Sequence, residues 1–169
     1  MSGKPRVADL YHSDFYAWTQ DQAARLRALV GDNRLDAEHL ADEVADLGRS
    51  ERNAVQQNLV QVLTHMLKAA WSPAEQPQGH WHEEILRHQQ QARDAFSASM
   101  RQHLDVGEIW QRAIRLANAA FRDHGEPPLP VEQPSPMSLD ELLDPAFDPA
   151  TAVDALRRYL GVQPDDRAE

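Results

Sequence analysis

The chain has 169 residues, a net charge of −10 from 17 Lys plus Arg against 27 Asp plus Glu, and no cysteine. A chain of that length can bury roughly 70% of its unfolded surface, so one domain with its own core is expected. The missing cysteine excludes disulfides, thiolate metal centres and a cysteine nucleophile and fits a cytoplasmic protein, while the acidic balance disfavours nucleic acid and anionic membranes, which are held by clustered Lys and Arg.

The N-terminus carries Lys4 and Arg6 with no apolar run behind them, so no secretory leader is expected. Asp14-Phe15-Tyr16-Ala17-Trp18 forms an aromatic-dense lead-in. Thr19 with Gln22 has the form of a capping box, and Ala23, Leu26, Leu29 and Val30 then predict a first main helix ending at Gly31. The second is the longest and runs from Asp36, a plausible N-cap, to Trp71. Along it Leu40, Val44, Leu47, Val55, Leu59, Leu63, Met66, Leu67 and Ala70 recur at steps of three and four and predict one apolar stripe. Unbroken, such a helix is about 50 Å long. Gly48 is its expected weak point, where a bend would be permitted. Pro73 and Pro77 forbid its continuation.

Trp81, Ile85, Ala92, Phe96 and Met100 keep helical spacing through a third helix that Ser97 and Ser99 can interrupt. Asp105 with Glu108 opens a fourth, carrying Ile109, Ala113, Leu116, Ala120 and Phe121 and closed by Gly125 and Pro127-Pro128. Five prolines in 126–137 predict extended loop. Ser138 and Glu141 cap one turn bearing Leu139, Leu142 and Leu143, and Asp148-Pro149 opens a last helix ending at Gly161. Residues 162–169 are expected to fray. No segment alternates apolar and polar residues as a strand would. The predicted architecture is therefore all-α, a single-domain bundle of four main helices plus short C-terminal helices.

Several elements carry a family resemblance. They are Asp14 to Thr19, the Gln22-Ala23 and Leu26-Arg27 pairs, Leu35-Asp36, His39-Leu40-Ala41-Asp42-Glu43-Val44, Leu47-Gly48-Arg49-Ser50-Glu51, Leu63, His65-Met66-Leu67-Lys68, Trp81 and Ile85. With them the chain resembles the bacterial and cyanobacterial domain-of-unknown-function family number 29, over residues 11–143, with 144–169 as a helical extension and tail. The resemblance implies a small helical fold with no established activity. Two departures stand out: His88-Gln89 where the family commonly has Gln-Arg, and Asp42-Glu43 where it often has Glu-Glu.

Two polar clusters could carry chemistry. His39 and Glu43 lie one turn apart, with Asp42 and Asp46 nearby, a weak divalent-metal pattern because no paired Glu-x-x-His element accompanies it. The second follows from topology. A short loop makes the second and third helices antiparallel, which brings His65 opposite Glu84 and His88, with Trp81 as a wall and Lys68 near Glu83 and Glu84. Histidine beside a carboxylate is a workable general base or metal ligand. The structural alternative is that Glu43, His65 and Lys68 are polar anchors, with Glu43 buried against an arginine, tyrosine or tryptophan of the N-terminal segment. Tyr16, Trp18, Trp81 and Trp110 are core residues before they are pocket walls.

No P-loop, dinucleotide fingerprint, nucleophile elbow or zincin motif is present, so no organic cofactor is predicted and a divalent metal is the one group the clusters could hold. The acidic excess lies at the ends, with nine acids against six bases over residues 1–50 and thirteen against six over 105–169. Together with the long amphipathic helix, that puts a noncatalytic module for protein interaction or self-association first. A metal-binding protein or metal-dependent hydrolase using His65, Glu84 and His88 comes second, with His39 and Glu43 as a weaker separate pair.

Overall fold

The structure, a computed structural model, describes residues 7–29, 34–72, 78–129 and 134–162. Seven α-helices and one 3₁₀ turn occur among these residues, and no strand. The helices are α1 (Val7–Ser13), α2 (Phe15–Arg27), α3 (Ala37–Trp71), α4 (Gln78–Ala95), α5 (Val106–Asp123), α6 (Leu139–Leu142) and α7 (Pro149–Leu160), with the 3₁₀ turn at Ala98–His103 between α4 and α5. The all-α reading holds, and no described helix is long and apolar enough to cross a membrane. The expected stops at Gly31 and at Pro73 to Pro77, and the tail beyond 162, fall outside the described residues.

Helix starts follow local chemistry. Asp148 accepts from the Thr151 amide ahead of Pro149, Asp105 accepts from the Gly107 and Glu108 amides, and Ser138 with Glu141 forms a reciprocal capping box. Gly161 ends α7 at φ +73°, a left-handed conformation that glycine adopts without steric cost. One cap differs from expectation. The start of α2 is Asp14, which accepts from the Ala17 amide, whereas Thr19 lies within the helix and donates its hydroxyl to the Tyr16 carbonyl. The carboxylate immediately before Phe15 takes the cap five residues ahead of the threonine, and α1 precedes it as a helix that the sequence pattern did not predict. The third helix likewise stops at Ala95, and Ser97 to Met100 pass into the 3₁₀ turn.

Where sequence length suggested one core, the chain groups into two compact units, residues 1–55 with 95–104 and residues 56–94 with 105–169. The first unit comprises α1, α2, the first half of α3 and the 3₁₀ turn. Here Asp14 takes two further hydrogen bonds, from the Ser99 amide at 2.9 Å and the Ser99 hydroxyl at 2.5 Å. Tyr11, Phe15 and Trp18 form an aromatic cluster, with Tyr11 edge-on to Trp18 at 4.8 Å. The α2–α3 contact is made by small residues, Ala23 against Ala41 and Ala45, flanked by Leu26 and Val44. This corrects the expected stripe, because Leu40 and Leu47 are 40% and 54% exposed. Choosing the largest side chains placed the buried face one position away from where it is.

Gly48 is a contact residue. The helix passes through it unbroken, and a Cβ there would lie 2.1 Å from Thr19 Oγ1 and 3.1 Å from Thr19 Cβ. Thr19 cannot yield cheaply, being fully buried and β-branched with its hydroxyl committed to Tyr16.

The second unit is organised on the C-terminal half of α3, where Leu59, Val60, Val62, Leu63, Met66, Leu67, Ala69 and Ala70 are all fully buried. Around it α5 contributes Ile109, Trp110, Ala113 and Ala117, and α7 contributes Val153 and Leu156. Arg157 Nη2 reaches the Ala69 carbonyl at 2.9 Å, and Gln89 Nε2 donates to the Asp144 carbonyl at 2.9 Å beyond α6. Gln89 therefore ties α4 to the chain after α6.

Gly48→Ala provides a direct test of the α2–α3 contact. Helix propensity alone would stabilise the variant by about 1 kcal/mol, but overpacking against a fixed threonine costs about 1–3 kcal/mol. We expect a lower urea midpoint, recovered when Thr19→Ala is added. A single variant as stable as the parent would show that the contact is loose.

Candidate functional site

The second half of α3 is apolar nearly all round except along one line. Asn58, Gln61, His65, Lys68 and Ser72 recur at steps of three, four, three and four, which sets them on one face of the helix. A polar seam on a central helix must find partners where it is covered. The partners come from α4 and from the chain after α5, within the second unit.

His65, Glu84 and His88 each bring one ligand atom into a group in which all three atoms lie within 4.8 Å of one another. His65 Nε2 is 3.9 Å and His88 Nε2 3.6 Å from Glu84 Oε2. The two imidazoles are nearly parallel, with centroids 5.9 Å apart. All three residues are half-buried. This is the only such trio among the described residues, and the antiparallel register of α3 and α4 assembles it as the sequence anticipated.

Two residues that the sequence reading passed over complete the surroundings. Asn58 Oδ1 lies 2.8 Å from His88 Nδ1, so with the amide in this orientation Nδ1 carries the proton and Nε2 keeps a bare lone pair facing Glu84. Arg87 donates Nη2 to Glu84 Oε2 and also lies 3.0 Å from His88 Nε2, so a guanidinium spans the same two acceptors. Their spacing was a usable signal: Asn58 is on the seam of His65, and Arg87 follows Glu84 by one turn.

Electrostatics keep the imidazoles neutral. Burial lowers the His65 pKa to about 4, Lys68, His88 and His80 push the same way, and Glu84 opposes them. Burial and then Arg87 lower His88, again against Glu84. The Arg87 hydrogen bond holds Glu84 below the ordinary carboxylate value. His65 Nδ1 is buried with no hydrogen-bond partner among the described residues, so its tautomer is not fixed from that side.

The other sequence candidates lie elsewhere. His39 is exposed and its Nδ1 is 2.7 Å from Asp36 Oδ2 at the start of α3, a contact that raises the histidine pKa. Glu43 is exposed, which overturns its assignment as a buried anchor. It projects from the outer side of the helix because the inner side is taken by Ala41 and Ala45. Lys68 does not pair with Glu83 or Glu84 as expected, since Glu84 is engaged by Arg87, and Lys68 makes no ion pair among the described residues. The Trp71 indole N–H donates to the Pro127 carbonyl at 2.9 Å.

The His65 environment makes a pH prediction. The unfolded imidazole has a pKa near 6.5 and the folded one about 4, so between those values only the unfolded chain binds the proton. Stability from this group is complete above pH 6.5 and falls as pH drops toward 4. In chelator, the parent should lose roughly 1–2 kcal/mol more than His65→Gln between pH 7 and pH 5, read from urea midpoints. Equal losses would mean that His65 is not desolvated.

A crystal structure described as an alpha-helical protein of unknown function from Rhodospirillum rubrum ATCC 11170 is similar over 92% of this chain and 99% of that one, with a TM-score of 0.81 and 30% identity. No curated protein matches the chain. The sequence model of "Domain of unknown function DUF29" matches residues 10–148, over four-fifths of the length by the same numbering. The chain belongs to that family.

Proposed function

We propose that this protein binds a divalent transition metal through His65, Glu84 and His88. The observation that carries the reading is the convergence of two imidazole nitrogens and one carboxylate oxygen from two facing helices. Zinc takes nitrogen and oxygen ligands at about 2.0–2.2 Å, and the present separations of 3.9 and 3.6 Å are close to the spacing of donors around such an ion. Neutral imidazole is the ligating form, and Asn58 orients one of the two rings. Three protein ligands leave a fourth position for water, the arrangement from which a hydrolytic metal centre works. The mixed nitrogen and oxygen set also suits iron or cobalt.

Arg87 acts as the resident cation in this reading. It holds Glu84 and His88 together without metal and, being half exposed, can swing to solvent when a metal ion enters.

Titration of tag-free protein with zinc, followed by calorimetry, should show one equivalent bound. His65→Gln and His88→Gln should each weaken it by more than about tenfold, Asn58→Ala by about 10–100-fold, and Arg87→Ala should tighten it. A parent that takes up no zinc, cobalt or iron would end the metal reading.

A second reading, self-association, is favoured by Leu40 and Leu47, exposed and seven residues apart on one side of α3. The partner we propose is a second copy of the chain, in a cytoplasmic setting that suits a cysteine-free acidic protein. Light scattering should then give a dimer that Leu47→Glu converts to monomer, and a parent that stays monomeric at high micromolar concentration would refute it.

A further inference from the structure

One turn along the α3–α4 hairpin from the histidine cluster lies a separate pocket of about 100 Å³, lined by Lys68, Ser72, Trp81, Phe121, His124 and Glu126. Its construction is specific. Gly125 takes φ +70°, which reverses the chain after α5 so that the Glu126 amide donates to the Phe121 carbonyl at 2.8 Å. The reversal brings the Glu126 side chain to α3, where Ser72 Oγ donates to Oε1 at 3.1 Å. The other carboxylate oxygen, Oε2, is buried and has no hydrogen-bond partner among the described residues. The Glu126 carboxylate therefore lines the pocket with acceptor capacity that no described donor uses, and a group that donates to it is the complementary occupant. Lys68 also lines the pocket and supplies an ammonium that no described carboxylate pairs, and Trp81 and Phe121 supply apolar surface.

The geometry points to a binding site for a small amino carboxylate, whose carboxylate meets Lys68 and whose ammonium meets the Glu126 carboxylate. A simple anion fits poorly because Glu126 would repel it, and a simple amine fits poorly because Lys68 would. The ligand is dipolar because the pocket is. Its volume of about 100 Å³ matches the head of a small amino acid or the terminus of a chain. This site goes beyond the metal reading and is independent of it.

The test uses the full chain in chelator, with the Trp81 indole resonance, identified by Trp81→Phe, as the reporter. L-alanine should shift that resonance saturably, and acetate and methylamine should bind at least about tenfold more weakly. Lys68→Met and Glu126→Gln should each weaken L-alanine by a similar factor, while the Glu126 variant keeps the Ser72 hydrogen bond and serves if the lysine variant folds poorly. No saturable shift, acetate binding as tightly as L-alanine, or both variants binding L-alanine like the parent would overturn the proposal. Because chelator is present, these outcomes do not depend on whether the histidine cluster takes a metal.

Discussion

Burial of the C-terminal half of α3 on nearly every side governs the second unit. Eight of its apolar residues between Leu59 and Ala70 are fully covered, so this stretch is a central helix and not a surface one. Polar groups in that position fall on the line from Asn58 to Ser72, where α4 answers Asn58 through His88 and the chain after α5 answers Ser72 through Glu126. Thr64, off that line, turns its hydroxyl back onto the Val60 carbonyl at 2.7 Å and needs no neighbour. His65 and Lys68 have no such internal solution. The histidine cluster and the Lys68 pocket are two outcomes of the same demand on consecutive turns.

The first unit solves the packing of the same helix differently. There the inner face is Ala41, Ala45 and Gly48, and absence of side-chain bulk lets α2 approach until Thr19 touches the Gly48 backbone. Close approach of small faces gains dispersion contacts but little buried area per residue, and leaves large residues such as Leu47 outward. Asp14 compensates by joining three amide or hydroxyl donors in one carboxylate, which ties the start of α2 to the 3₁₀ turn. One continuous helix thus carries a small-residue contact at one end and a large-residue core at the other.

Within the histidine cluster, the balance of charge explains why the donors stay together. Two neutral imidazoles and one carboxylate carry one negative charge, which Arg87 neutralises from the solvent side. Structural ion pairs of this exposure contribute little stability, so Arg87 matters more for orientation than for holding the fold. The similarity at 30% identity to another protein of unknown function secures the helical fold and adds no activity, so the chemistry rests on these side chains.

Local signals in the sequence determined the main helices, the span of α3, the caps at Asp105, Ser138 and Asp148, and the stop at Gly161, because each depends on residues within one or two turns. The antiparallel register that joins His65 to Glu84 and His88 was legible too, since a short loop leaves the two helices little choice. What the tertiary structure decided was which face of each helix is buried. Leu40 and Leu47 look like core by size, yet Ala41 and Ala45 are inside, because packing rewards fit between two surfaces and not the hydrophobicity of either alone. The same reason exposes Glu43, makes Gly48 a point of contact with Thr19, and gives Glu84 to Arg87 in place of Lys68. Competition between donors for one carboxylate is settled by positions in space, which a pattern along one chain does not contain.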